Sequence, residues 1–309
     1  MTANGIGLRG KTVLVTGASG FIGRHLCQQV SEQGATVHGI WYSQPPQGNS
    51  AVNWWRCDVH DYEALADIFE QVEPQVVFHL ASAVTGSRER AAVLPTLQAN
   101  LVSTVNLLDL ATEYHCQRVV LAGSLEEGQA GSVPSSPYAA AKSASSAYAR
   151  MFFNLYQTPV VNARLFMVYG TAQRDLKKLI PYVTLALLHG ETPQMSNGAR
   201  PVDWVYVGDV VEGLIRCATT PGIEGETVDL GSGELVTVRE VVEMLAGIVS
   251  PDARLEFGAL PERPFEQIRA ADVARSQALI GWQPQTALAD GLRRTVEYYR
   301  ARLDDDELY

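Results

Sequence analysis

The chain has 309 residues, 46% of them hydrophobic, and a formal net charge of −10. This length allows one large domain or two moderate ones around a sizeable core. The acidic balance argues against nucleic acid or an anionic membrane as the main partner.

In chain order, Thr12–Thr16 is a short apolar, β-branched run that suits a buried parallel strand. Gly17, Gly20 and Gly23 follow it and open a helix-like stretch over 20–33. Glycine at such a turn lets backbone approach a pyrophosphate, and the helix N-terminus offers it unpaired N–H groups. Further strands are predicted at Thr36–Trp41, 52–57, 75–81, 118–122 and 160–166, with helices near 62–71, 95–114 and Pro137–Tyr156. Such alternation implies right-handed βαβ units and a doubly wound parallel sheet, a Rossmann-like α/β fold. Ser136-Pro137 places a capping residue and then proline at a helix start.

After Gly170 the pattern loosens. Helices are predicted at 176–189, 208–218 and 287–301, with strands at Thr227–Leu230 and 254–260. Thr237-Val-Arg-Glu240 reads as a capping box before another helix. The expected organisation is a dinucleotide-binding domain over residues 1–168, with a return segment at about 205–232. Residues 169–204 and 233–309 then form a smaller C-terminal α/β substrate-binding lobe on the carboxyl edge of the sheet.

Cys27, Cys57, Cys116 and Cys217 are scattered without a Cys-x-x-Cys pair, and the six histidines show no ligand spacing. Reduced thiols, no metal site and a cytoplasmic setting are expected. His79, inside an apolar strand, is read as packed. No signal peptide is read, and no apolar run reads as long enough to span a bilayer.

Tyr138 and Lys142 stand in Ser-Pro-Tyr-Ala-Ala-Ala-Lys, four residues apart and so on one helical face. A tyrosine near its ordinary pKa of ~10 is a poor base at neutral pH. An ammonium beside it favours the phenolate. The pair can move a proton to or from a sugar hydroxyl while hydride leaves or arrives at the same carbon.

The Gly-x-x-Gly-x-x-Gly turn, the later Tyr-x-x-x-Lys and the length resemble an extended short-chain dehydrogenase/reductase of the nucleotide-sugar epimerase/dehydratase branch. Phe78-His-Leu-Ala-Ser82, Leu165-Phe-Met-Val-Tyr-Gly170, Asp203-Trp-Val-Tyr-Val-Gly-Asp209 and Leu279-Ile-Gly-Trp-Gln-Pro284 carry the same resemblance. It implies that Tyr138 is the acid/base and that Lys142 tunes it and holds the nicotinamide ribose. Ser124 would orient the substrate oxygen. Glu126 matches the carboxylate of members that handle a C5 proton, while Gly123–Glu127 is close to the Gly-Ser-Ser-Glu-Glu of some 4-keto-6-deoxyhexose reductases. Leu125 stands where one group of dehydratases carries an acid.

The implied cofactor contacts are Gly17, Gly20, Phe21, Ile22, Gly23, Arg24, Trp41, Tyr42, Ser43, Asp58, Val59, Leu80, Ala81 and Ser82, besides Tyr138 and Lys142. Trp41 occupies the position where NAD-specific sites place an acid on the ribose 2′-hydroxyl. No arginine adjoins it in sequence, but Tyr42, Ser43 and Arg24 offer donors, so NADP(H) is favoured over NAD(H). The implied substrate contacts are Thr85, Ser87 and Arg88 after the fourth strand, Met167, Arg200, and Arg263 with Glu266. Arg200 would substitute for an arginine that Val202 replaces. The expected activity is hydride transfer at C4 of a nucleotide-activated hexose, with an NDP-4-keto-6-deoxyhexose reductase ahead of a 4-epimerase or a 4,6-dehydratase/decarboxylase. A non-catalytic cofactor-binding scaffold is the alternative of another class. Homodimerisation through the helices near 95–114 and Pro137–Tyr156 is expected.

Overall fold

The computed structural model describes residues 7–43, 45–46, 50–128, 133–261 and 267–304. The first half alternates as expected: β1 (Thr12–Thr16), α1 (Phe21–Glu32), β2 (Thr36–Trp41), β3 (Val52–Arg56), α2 (Tyr62–Val72) and β4 (Val76–His79). There follow α3 (Val93–Leu97), α4 (Ser103–Glu113), β5 (Arg118–Ser124), α5 (Pro137–Tyr156) and β6 (Val160–Leu165). The second half contains β7 (Met167–Tyr169), α6 (Leu179–Leu188), β8 (Gln194–Met195), β9 (Pro201–Tyr206), α7 (Val207–Thr219) and β10 (Thr227–Leu230). It ends with β11 (Leu235–Thr237), α8 (Val238–Val249), β12 (Glu256–Phe257), α9 (Val273–Ile280) and α10 (Leu288–Asp304).

Seven strands form one parallel sheet in the order β10-β6-β5-β4-β1-β2-β3. Its central strands are apolar without alternation because helices cover both faces. Leu26 and Val30 of α1 pack with Val210, Val211 and Leu214 of α7 on one face. Leu65 and Phe69 of α2, Leu107 and Leu108 of α4, and Phe152 of α5 cover the other. The strand order reverses at β1, where β2 and β3 lie to one side and β4 to the other, which opens a crevice at the carboxyl ends of β1 and β4. Open α/β sheets bind ligands at such a switch point. A second core joins Val183 and Leu187 of α6, Val241 and Leu245 of α8, and Leu292 and Val296 of α10 against β9. There β9 pairs with β7 and β11 in a small sheet of its own.

Local signals explain several boundaries. The Ser136 hydroxyl accepts the Ala139 N–H at 3.2 Å and Pro137 opens α5. Thr237 and Glu240 close the expected capping box on α8. Three expectations need correction. The strand at 254–260 shrinks to Glu256–Phe257 against the two-residue β8. Helix α9 was not anticipated: Asp272 caps it, and Gly281 ends it at φ 63°. The helix expected at 95–114 belongs to a helical segment Arg90–Glu113, widened into a π turn at Gln98–Val102. By length and composition this 24-residue segment meets the criterion for crossing a membrane. Its Leu107, Leu108, Leu110 and Ala111 are instead spent on the sheet.

Candidate active site

The crevice begins at the turn after β1. Gly17 sits at φ 66°, and a Cβ there would lie 2.7 Å from the Ala81 nitrogen. At Gly23 a Cβ would lie 2.2 Å from the Gly17 carbonyl oxygen. Gly20 caps α1 without any side-chain bond. The first N–H groups of α1, from Phe21 onward, have no carbonyl a turn earlier to bond. The result is a bare cradle of donors at the positive end of a helix dipole, and a dinucleotide pyrophosphate fits it. Leu80 and Ala81 close its other side through bonds to the Thr16 carbonyl and hydroxyl at 3.2 and 3.1 Å.

At the outer end of β2, Trp41 faces Arg56, whose guanidinium carbon lies 5.4 Å from the indole centroid. The β2–β3 register pairs these two residues directly. This corrects the sequence expectation that no arginine adjoins Trp41. Tyr42 and Ser43 are exposed beyond it. Arg174, after β7, reaches the Pro45 carbonyl at 3.3 Å and feels the charge of Arg24. Asp58 is engaged by the His60 Nδ1 at 2.6 Å, and Val59 is packed into the core beside Ile40 and Leu65.

Tyr138 is 9% exposed at the start of α5, and Ser124 is 7% exposed at the end of β5. The Ser124 and Ser82 hydroxyls face the phenol, and each offsets part of the rise in its pKa. Ser82 donates its proton to the Asn100 Oδ1 at 2.9 Å. The Ser124 oxygen accepts the Glu126 N–H at 3.2 Å. Asn100, in the π turn of the helical segment expected at 95–114, thus anchors Ser82, a role that its position in the sequence does not signal.

Burial pushes the Tyr138 phenol up to about 12 against the opposing effect of the Ser124 hydroxyl, with Glu127 and Glu126 adding to the rise. The expectation that Lys142 lowers it is therefore not met in the protein alone. The Lys142 ammonium stands 5.9 Å from the ring centroid and donates to the Ala122 carbonyl at 2.7 Å. Burial lowers Lys142 itself to about 8, opposed by Glu127. His79 is packed, as expected. It bridges Thr16 at 2.8 Å and Ser103 at 3.5 Å, and burial and Lys142 push it down to about 3.

On the substrate side Glu126 accepts the Ser135 hydroxyl at 3.0 Å, and Arg88 donates to the Ser135 carbonyl at 2.9 Å. These bonds tie the segment after β4 to the segment before α5. Thr85 accepts the Ser87 N–H at 3.1 Å. Leu125 is buried, and Met167 packs against the second core. Arg200 lies one residue before β9, its carbonyl accepting the Val238 N–H at 3.0 Å. Asp203 is 1% exposed and accepts N–H groups of Ser232, Gly233 and Ala271, which makes it a structural anchor. Arg263 and Glu266 lie outside the described residues. Among the described residues there is no cluster of three metal-ligating side chains.

Fold and crevice together define a Rossmann-type dinucleotide enzyme. The model of the NAD dependent epimerase/dehydratase family matches residues 13–231. The chain belongs to that family, within the extended short-chain dehydrogenases/reductases. It is 32% identical to the UDP-glucose 4-epimerase of Mycolicibacterium smegmatis, over 93% of this chain and 98% of that one. It is 28% identical to the dTDP-glucose 4,6-dehydratase of Neisseria gonorrhoeae, over 94% and 95%. Among solved structures, the UDP-glucose 4-epimerase of Thermotoga maritima with UDP-glucose superposes at a TM-score of 0.86, with 25% identity over 94% of this chain and 99% of that one. MoeE5 in complex with UDP-glucose and NAD gives a TM-score of 0.83 and 30% identity over the same shares.

Proposed function

We propose that this enzyme moves hydride at C4 of a nucleotide-linked hexose, and that Tyr138 handles the proton at the C4 oxygen. The observation that carries this reading is the convergence of Ser124, Tyr138 and the bonded Ser82–Asn100 pair at the mouth of the crevice, with Lys142 on the same helical face as Tyr138. When bound, the nicotinamide supplies or accepts the hydride. Ser124 orients the substrate oxygen, and Tyr138 donates a proton to it or removes one. Lys142 holds the nicotinamide ribose with the N–H groups not spent on Ala122. Gly17, Gly20, Phe21, Ile22 and Gly23 hold the pyrophosphate. Residues 169–204 and 233–309 contribute the substrate lobe, and Arg200 and Arg263 hold the substrate diphosphate.

For the net outcome, a 4-keto reductase using NADP(H) is the leading reading. Leu125 is buried where an acid would expel a 6-hydroxyl, and Arg56 beside Trp41 offers a cation to a 2′-phosphate. The second reading is a 4-epimerase with retained NAD, favoured by the likeness to the M. smegmatis enzyme. Reduced-nicotinamide absorbance with 4-keto nucleotide sugars separates them: the reductase bleaches NADPH stoichiometrically. Tightly bound NAD with interconversion of 4-epimers and no bleaching would favour the epimerase. A second copy of the chain is the proposed partner, seated on exposed Leu94, Leu97, Tyr148 and Leu155 of α3 and α5. Sedimentation at micromolar concentration tests it, and a monomer would contradict it.

A further inference from the structure

Glu127 is a buried carboxylate, 5% exposed, that the assignments above do not use. Its Oε1 accepts the Ser124 N–H at 2.9 Å, and the Asn162 amide lies 3.4 and 3.3 Å from its two oxygens. Arg164 reaches Oε2 only at 3.4 Å, because its Nη1 is committed to Asp229 at 2.7 Å. Burying a carboxylate is costly unless it is paired, and this pairing is loose. The backbone nevertheless makes room for it: a Cβ at Gly123 would lie 2.4 Å from the Glu127 Oε1.

Lys142 and Glu127 line the same cavity of about 10 Å³, together with Ser146, Asn162, Thr104 and His79. A polar cavity of roughly this volume holds one water with two to four partners. The described contacts of Lys142 use one of its three N–H donors, on Ala122. Other charged groups do not serve as its counter-charge. His79, from β4, is neutral near pH 7. Tyr138, on the same helix, is a neutral phenol there. Arg164, from β6, carries the same sign and sits behind Glu127. Glu126 is turned to Ser135 and is not among the cavity's lining residues.

We propose that Glu127 is the counter-charge of Lys142, coupled to it through a single water in this cavity, and that it is a positioning residue for both Lys142 and Ser124. It keeps the ammonium charged for the nicotinamide ribose while its Oε1 fixes the Ser124 backbone. This rests on the assignment of Lys142 to that ribose. The test is the pH dependence of NADPH affinity, read by fluorescence without any sugar nucleotide, so an error about the substrate leaves it intact. The range from about pH 7 to about pH 10 keeps the cofactor's 2′-phosphate, with a second pKa of about 6, in one charge state. Affinity of the parent falls as pH rises and Lys142 loses its proton. In Glu127→Gln the midpoint of that fall moves down by about one pH unit. Thr104→Ile, which puts hydrocarbon into the cavity and leaves both partners in the sequence, moves it the same way. A folded Glu127→Gln whose midpoint coincides with the parent overturns the proposal. If that variant does not fold, an unchanged midpoint in Thr104→Ile does so. A parent with no fall in affinity overturns it together with the assignment of Lys142.

Discussion

The Lys142 ammonium stands 5.9 Å from the centroid of the Tyr138 ring, alongside the phenol's face and bonded to Ala122. The Ser124 and Ser82 hydroxyls, not Lys142, are the groups that hold the phenol's pKa down against burial. Helical spacing alone therefore brings the pair together without activating it.

Tyr138→Phe removes the group proposed to exchange a proton at the substrate oxygen. General acid–base catalysis contributes roughly 10²–10⁴-fold, so turnover falls by about that factor. Cofactor affinity measured by fluorescence changes little, because the phenyl ring and Lys142 remain. A variant that turns over as fast as the parent would overturn the catalytic assignment.

Gly23→Ala ordinarily adds about 1 kcal/mol of helix propensity. Here the sign reverses, because the new Cβ would lie 2.2 Å from the Gly17 carbonyl oxygen, a backbone atom that cannot step aside. Thermal melting is expected at a lower temperature, with loss of cofactor binding. Gly20→Ala meets the same oxygen at 3.1 Å and is expected to be milder in both measurements.

Arg56→Ala tests the cofactor reading. A charge-assisted hydrogen bond contributes about 1.5–3 kcal/mol, so NADPH affinity drops by roughly tenfold or more. NADH affinity holds nearly constant. Parallel losses for both cofactors would place Arg56 outside the 2′-phosphate site.

His79 gives the protein an acid-sensitive core. Its folded pKa, about 3, lies below the ordinary 6.5, so the unfolded chain binds more protons between those values. The contribution to stability is fully present above pH 6.5 and is lost as pH falls toward about 3. The slope is up to about 1.4 kcal/mol per pH unit. Urea midpoints across this window should decline less steeply in His79→Asn than in the parent. Equal slopes would assign the acid sensitivity elsewhere.

The sheet was legible because buried parallel strands are written as contiguous β-branched runs, such as Val13 to Val15 and Val76 to Phe78. The start of α5 was legible from Ser136-Pro137, and the cradle from the spacing of Gly17, Gly20 and Gly23. The partners of the site were not, because they arise from pairings distant in sequence. Arg56 meets Trp41 only through the β2–β3 register, and Asn100 reaches Ser82 only through the π turn. Glu127 stood in view beside Glu126, but its burial depends on Asn162 and Arg164 of β6. Helix α9 is eight residues long, too short for periodicity to stand out, and its signals were the Asp272 cap and Gly281.

The central claim, hydride transfer at C4 of a nucleotide sugar with Tyr138 moving the proton, is tested most directly by one comparison. Parent and Tyr138→Phe are each mixed with NADPH and a 4-keto-6-deoxyhexose nucleotide, and reduced-nicotinamide absorbance is followed in a single turnover. The account predicts stoichiometric bleaching by the parent and a rate about 10²–10⁴-fold lower in the variant. Bleaching at equal rates in both proteins would contradict it.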